Sequence, residues 1–93
     1  MAFIVYIIES QVDGTFYVGQ TNNLKDRLKR HNKGIIKSTS SKRPYNLCYF
    51  EEYKTRSEAM FREWEIKKKY NTERRKKLIC SFDNLKLNNF PGL

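Results

Sequence analysis

Five side chains in this sequence could do chemistry together: two phenols, Tyr6 and Tyr17, a guanidinium, Arg27, an imidazole, His31, and a carboxylate, Glu63. Tyr6 lies in Ile4-Val5-Tyr6 and Tyr17 in Tyr17-Val18-Gly19, eleven positions apart, with Asp13-Gly14 between them as a turn signal. A hairpin there would bring the phenols close, and the helical pattern that follows carries Arg27 and His31. Phosphodiester hydrolysis suits such a set. One carboxylate and several waters can hold a hard divalent cation against a phosphate oxygen. An arginine counters the charge that grows on the phosphoryl oxygens. A phenol, with a pKa of ~10, acts as a base near neutrality only where positive charge lowers it, from a bound metal, Arg27 or a protonated His31. Other chemistries fit poorly: there is no Ser-centred nucleophile motif, Gly-rich phosphate loop or dinucleotide fingerprint, and a single His.

The elements that must position these groups can be read from periodicity. Residues 3–9 form a continuous apolar run, as expected of a strand covered on both faces. After the Asp13-Gly14 turn, residues 15–20 return with Phe16 and Val18 on one face and Tyr17 and Gly19 on the other. Asn22 or Asn23 can cap a helix with Asp26 in its first turn and Gly34 at its end. Residues 35–44 read as a Ser/Thr/Lys-rich loop closed by Pro44, and 45–53 as a third strand. Thr55-Arg56-Ser57-Glu58 is a capping box that opens a long second helix, and Asn71-Thr72 recaps a short basic helix ending near Cys80. The expectation is one α+β domain over 1–80, a three-stranded antiparallel sheet flanked by helices in the order β-β-α-β-α-α, with a tail over 81–93 that is assigned no function.

Helical spacing sharpens the site. Leu24, Arg27, Leu28 and His31 fall at i, i+3, i+4 and i+7, one stripe, so Arg27 and His31 share the sheet-facing side with two leucines. An inward arginine needs an anion, either a ligand or a carboxylate such as Glu63 or Glu9. His31 near the helix end could alternatively be a cation complementing the dipole. On the second helix, Ala59, Met60, Trp64, Ile66 and Tyr70 are read as the apolar arc, with Glu63 inside it, Lys67 at its edge, and Arg62, Glu65 and Lys69 on the solvent side. A carboxylate on a core-facing arc is salt-bridged or holds a metal ion.

Charge points to the partner. The net charge is +9 and the pI near 9.7, which suits a polyanion, most often nucleic acid. Residues 1–24 contain no Lys or Arg, whereas 25–43 contain eight against one acid and 54–77 ten against four. A neutral hairpin is thus ringed by a positive field. No apolar run approaches the ~20 residues of a membrane span, and residues 2–8 read as a buried strand because Tyr6 belongs to the hairpin. Cys48 and Cys80 lack zinc spacing. Two free thiols suit a reducing compartment, so a cytoplasmic location is expected.

These residues together resemble the GIY-YIG endonuclease superfamily, in particular its small stand-alone bacterial members, similar to the nuclease domain of the excision-repair incision subunit. The resemblance covers roughly residues 3–80. Its carriers are Ile4-Val5-Tyr6, Tyr17-Val18-Gly19-Gln20-Thr21, Asn23-Leu24 with Arg27 and His31, Arg43-Pro44, and Glu58-Ala59 with Arg62-Glu63 and Ile66-Lys67. Ile4 and Val5 depart from the glycine and isoleucine of the family name. The resemblance implies metal-dependent hydrolysis of DNA strands, with Tyr17 ahead of Tyr6 as general base and Tyr6 positioning or assisting it. Arg27 would stabilise the transition state, His31 relay or orient protons, and Glu63 ligate Mg²⁺ or Mn²⁺. Gly19 would give the backbone room beside the scissile phosphate. Many active relatives have an Asn after the metal-binding helix, for which Asn71 is the candidate here. Without an appended DNA-binding module, affinity is expected from Lys33, Lys37, Lys42 and Arg43 of the loop and from Lys67. It would be backbone-directed, salt-sensitive and weakly sequence-specific. DNA is the expected substrate, with branched or damaged DNA and RNA as variants. A non-catalytic nucleic-acid-binding module is the alternative.

Overall fold

The structure is a computed structural model that describes residues 2–82; of the tail assigned to 81–93, residues 83–93 lie outside the described residues. Its elements are β1 (Phe3–Ser10), β2 (Phe16–Thr21), α1 (Leu24–Lys33), β3 (Tyr45–Tyr53), α2 (Arg56–Lys69) and α3 (Thr72–Cys80), with a 3₁₀ turn at Ser40–Lys42. The sheet is antiparallel in the order β2-β1-β3. The α+β class and the element order are as the sequence implied, and the strand edges shift by a residue. The long apolar run is the central strand because only the central strand must be covered on both faces.

Those faces divide the core. Ile4, Tyr6 and Ile8 pack with Leu24, Tyr45 and Phe50 on the α1 side, whereas Val5 and Ile7 pack with Val18, Tyr49, Ala59 and Ile66 on the α2 side. Along β3 the pairing slips between Ile7 and Ile8, which face Tyr49 and Leu47 respectively, leaving Cys48 as an extra residue. This bulge reverses the alternation, so Leu47 and Phe50 point to one side and Tyr49 to the other. Phe82, the second residue of the assigned tail, stacks on Tyr49 and Phe50 at centroid distances of 4.8 and 5.2 Å. Cys48 and Cys80 are both free thiols.

Helix ends follow the caps. Asn23 accepts from the Asp26 amide to open α1, and Gly34, at φ 78°, closes it by donating to the Arg30 and His31 carbonyls. Thr55 accepts from the Glu58 amide at the start of α2. Asn71 does the same for α3, its Oδ1 accepting from the Arg74 amide at 2.8 Å.

The inward face of α2 differs from the expected arc. Ala59 and Ile66 are fully buried, but Met60 and Trp64 are exposed. Arg62, expected in solvent, instead reaches under the sheet, where its Nε and Nη2 donate to Glu51 at 2.8 and 3.0 Å and its Nη1 donates to Glu65 at 2.6 Å. Glu65 is therefore an ion-pair partner and not a solvated carboxylate. Tyr49 and Tyr53 also donate to Glu51. Burial alone would raise the Glu51 carboxyl, but its bonds from Arg62 and the two phenols together hold it below the usual carboxylate range. Hydropathy ranked methionine and tryptophan inside and arginine outside; the matched carboxylate on β3 reverses that order.

Candidate active site

β1, β2 and α1 bring three of the five chemical groups into one aromatic cluster on the α1 side of the sheet. Tyr6 pairs across the hairpin with Gly19, and Ile8 with Tyr17. Side chains two positions apart along a strand share a face, so Tyr6 and Tyr17 meet with ring centroids 6.5 Å apart. His31 stands edge-on to both, at 5.8 Å from Tyr6 and 5.0 Å from Tyr17. The i, i+7 spacing of α1 places Leu24 and His31 inward as expected, with Arg27 and Leu28 half-buried on the same stripe.

Gly19 makes the cluster possible by a different route from the one expected. A Cβ there would lie 2.6 Å from the Tyr6 hydroxyl oxygen and 2.7 Å from its ring carbon. The space at this glycine is filled by the Tyr6 phenol, and Gly19 is buried.

A hydrogen-bonded chain runs inward from Tyr6. Its hydroxyl lies 2.8 Å from His31 Nε2, and His31 Nδ1 lies 2.7 Å from Thr39 Oγ1. The Thr39 hydroxyl donates to the Ile36 carbonyl at 3.3 Å, which leaves its oxygen to accept from His31 Nδ1–H. His31 Nε2 is then the bare nitrogen, and Tyr6 is its donor. Electrostatics agree. His31 is fully buried, and burial, with Arg27 adding to it, lowers its pKa to about 4. Burial is also the largest cause of the strong upward shift of the Tyr6 phenol, which the nearby Tyr17 and Glu63 reinforce and Arg27 opposes. Tyr6 and His31 are therefore both neutral near pH 7, and His31 is neither a protonated activator of a phenol nor a surface cation serving the helix dipole.

This neutral histidine gives a pH-dependent stability. The unfolded state, with a histidine pKa near 6.5, binds the proton that the folded state rejects down to about 4. The contribution is complete above about pH 6.5 and disappears as pH falls from there to about 4, amounting to roughly 3 kcal/mol. Urea midpoints measured across this window should fall for the wild type and stay flatter for His31→Gln.

Thr39 is a positioning residue that sequence reasoning missed. It is fully buried in the irregular loop after α1, where no periodicity marks it. Thr39→Val, nearly equal in shape, would leave His31 Nδ1–H unpaired at about 1–3 kcal/mol. The ring ¹⁵N shifts of His31 should report loss of the single tautomer held in the wild type. Tyr45 and Asn32 were missed as well. Tyr45 stacks on His31 at 6.1 Å, and Asn32 accepts from the Tyr45 amide at 2.7 Å and donates to its carbonyl at 3.2 Å. Together they hold α1 against β3.

Glu63 and Lys67 reach the cluster from α2, which packs across β1 and β2. Glu63 is close enough for its charge to raise the Tyr6 phenol. Its Oε1 lies 3.5 Å from Lys67 Nζ, a loose i,i+4 pair with the carboxylate largely shielded. Lys67 also sits over the Tyr17 ring at 5.7 Å. Among the described residues no group of three or more His, Cys, Asp or Glu could hold a metal ion. A single shielded carboxylate fits a small hard cation that keeps waters and takes its remaining oxygens from a phosphate.

The four basic residues, Lys33 at the end of α1 and three in the segment after it, have different surroundings. Lys33 and Lys37 are exposed, with no ion-pair partner among the described residues. Lys42 is tied to the hairpin tip by a 3.2 Å contact with Asp13, whose carboxyl is held down to about 2, chiefly by a hydrogen bond from Thr15. Arg43 folds over Gly34, where a Cβ would meet its guanidinium, and donates to the Ser40 carbonyl at 3.3 Å. Asn71 is engaged as the α3 cap through its side-chain oxygen.

Comparisons with known proteins agree with this architecture. A family model described as the GIY-YIG catalytic domain matches residues 2–77. A UPF0213 protein of Staphylococcus aureus strain Mu3 is 41% identical over 76 residues, covering 81% of this chain and 90% of its own. The UPF0213 protein of strain N315 matches to the same extent. The solution NMR structure of a UPF0213 protein from Bacillus halodurans superposes with a TM-score of 0.56 at 31% identity, covering 86% of this chain and 84% of that one.

Proposed function

Because the chain belongs to the GIY-YIG catalytic-domain family, we propose that it is a divalent-metal-dependent endonuclease that hydrolyses DNA phosphodiester bonds with weak sequence specificity. The observation that carries this reading is the grouping of Tyr6, Tyr17 and His31 on one face, with Arg27 and Glu63 close enough to perturb Tyr6.

The two phenols have different parts. Tyr6 is buried and its proton is committed to His31, which suits a positioning group whose phenol never ionises. Tyr17 is half-buried and carries Lys67 over its ring, so of the two it is the group that, as a phenolate with its own proton released to solvent, would accept a proton from an attacking water. Arg27, half-buried and close enough for its charge to act on Tyr6 and His31, would face the charge that grows on the phosphoryl oxygens. Glu63 would hold Mg²⁺ or Mn²⁺, which when bound supplies Lewis-acid stabilisation of the phosphate and leaving oxygen. Lys33, Lys37, Arg43 and Lys67 would contact backbone phosphates, making affinity fall steeply with salt. Gly19 would act by making room for Tyr6, and Lys42 by fixing the loop to the hairpin.

The test is cleavage of labelled single-stranded, duplex and branched DNA in Mg²⁺ or Mn²⁺, with EDTA as control. Metal-dependent nicking that vanishes in Glu63→Ala while DNA binding persists is the expected result. Binding without metal-dependent cleavage of any of these substrates would instead make this a non-catalytic nucleic-acid-binding module.

A further inference from the structure

The exposed face of α2 carries a patch with no role in the fold. Met60, Phe61 and Trp64 are 54%, 63% and 47% exposed. The Phe61 and Trp64 rings lie 6.0 Å apart with planes 35° from one another, and Lys69 Nζ sits 5.4 Å from the Trp64 centroid. The helix continues into Lys67-Lys68-Lys69. Resting on the nucleic-acid-directed reading of the site, we propose that this patch is a stacking platform for the unpaired bases of a single-stranded segment flanking the scissile phosphate.

Position on the helix supports this occupant. At about 100° per residue, Met60 lies about 60° around the helix from Glu63, with Lys67 between them and Trp64 just beyond. The surface therefore passes without a break from Glu63, whose charge reaches Tyr6, to the aromatic rings. A nucleotide whose phosphate sits at Glu63 and Lys67 can place its neighbour's base on Trp64. Every base has a π-face, so stacking of this kind tolerates any sequence, and flanking lysines suit the backbone beside it. Bases within a duplex are already stacked and offer the rings nothing. A second copy of the chain fits less well. Aromatic side chains bury ~150–250 Å² each, so three half-exposed residues offer on the order of 300–400 Å². A stable interface takes about 800 Å² per partner.

Trp64 is the only tryptophan in the chain, so it reports its own occupancy. The full chain in EDTA would be titrated with labelled oligothymidylate and with blunt duplex of the same length, following Trp64 emission and label anisotropy. Single strand is expected to quench Trp64 and to bind about tenfold more tightly than duplex. Trp64→Ala should weaken single-strand binding by about tenfold or more, and Trp64→Phe should restore much of it. Equal affinities without quenching, or a Trp64→Ala variant that binds single strand as the wild type does, would overturn the platform. So would a doubled mass by light scattering that accompanies a blue-shifted Trp64. Metal-dependent duplex cleavage by a wild type whose Trp64 responds to no oligonucleotide removes the platform and leaves the nuclease reading intact. Failure to bind or cut any nucleic acid removes both.

Discussion

Tyr17→Phe is expected to slow single-turnover DNA cleavage by about 10²–10⁴-fold, the contribution of a positioned general base, with binding and thermal midpoint near wild type. The substitution deletes one hydroxyl and keeps the ring against Tyr6 and His31 at 6.5 and 5.0 Å. No hydrogen bond of the inner chain passes through that hydroxyl, because the chain runs from Tyr6 to His31 to Thr39. Tyr6→Phe behaves differently. It removes the donor to a buried His31 nitrogen and therefore loses stability together with activity. Rates from quenched single-turnover time courses, paired with melting curves, distinguish the two tyrosines. If Tyr6→Phe abolished cleavage at full stability while Tyr17→Phe cut normally, the assignment of base and positioner would be reversed.

Gly19→Val is expected to destabilise the domain by about 3–5 kcal/mol and to abolish cleavage. Even a Cβ would fall 2.6 Å from the Tyr6 hydroxyl and 2.7 Å from its ring carbon. Tyr6 is buried between β1's neighbours and cannot swing away without opening the core. Overpacking of this kind costs about 1–3 kcal/mol, and displacing the phenol strands a buried His31 nitrogen for about 1–3 more. Gly19→Ala meets the same atoms and should show the effect in milder form. Urea denaturation measures the loss, and a Tyr6→Phe background should recover part of it by removing the oxygen nearest the new Cβ. Wild-type stability in Gly19→Val would mean that Tyr6 has somewhere else to go.

The helix carrying Arg27 and His31 was legible because two turns of a regular period leave little choice about which residues share a face. The capped ends of α1, α2 and α3 were legible for a similar reason, since Asn23, Thr55, Asn71 and Gly34 act within four residues of chain. The face of α2 was not. Met60 and Trp64 outrank Arg62 in hydropathy, yet Arg62 is the residue inside because Glu51 waits for it there. That partner could not be seen from β3's alternation, which the extra residue at Cys48 reverses. Thr39 was hidden in the irregular loop, eight residues beyond the histidine it orients.

The sequence by itself determined the central strand, the two tyrosines, the inward stripe of α1 and the basic surround, because each follows from short-range periodicity or simple charge. Only the tertiary structure decided the chemistry of the pieces. It buried His31 and so made it neutral, gave Tyr6 a fixed acceptor, filled the room at Gly19 with a phenol, and turned three apolar residues of α2 toward solvent. Those outcomes depend on desolvation and on partners far away in the chain, and neither is encoded in a residue's own neighbours.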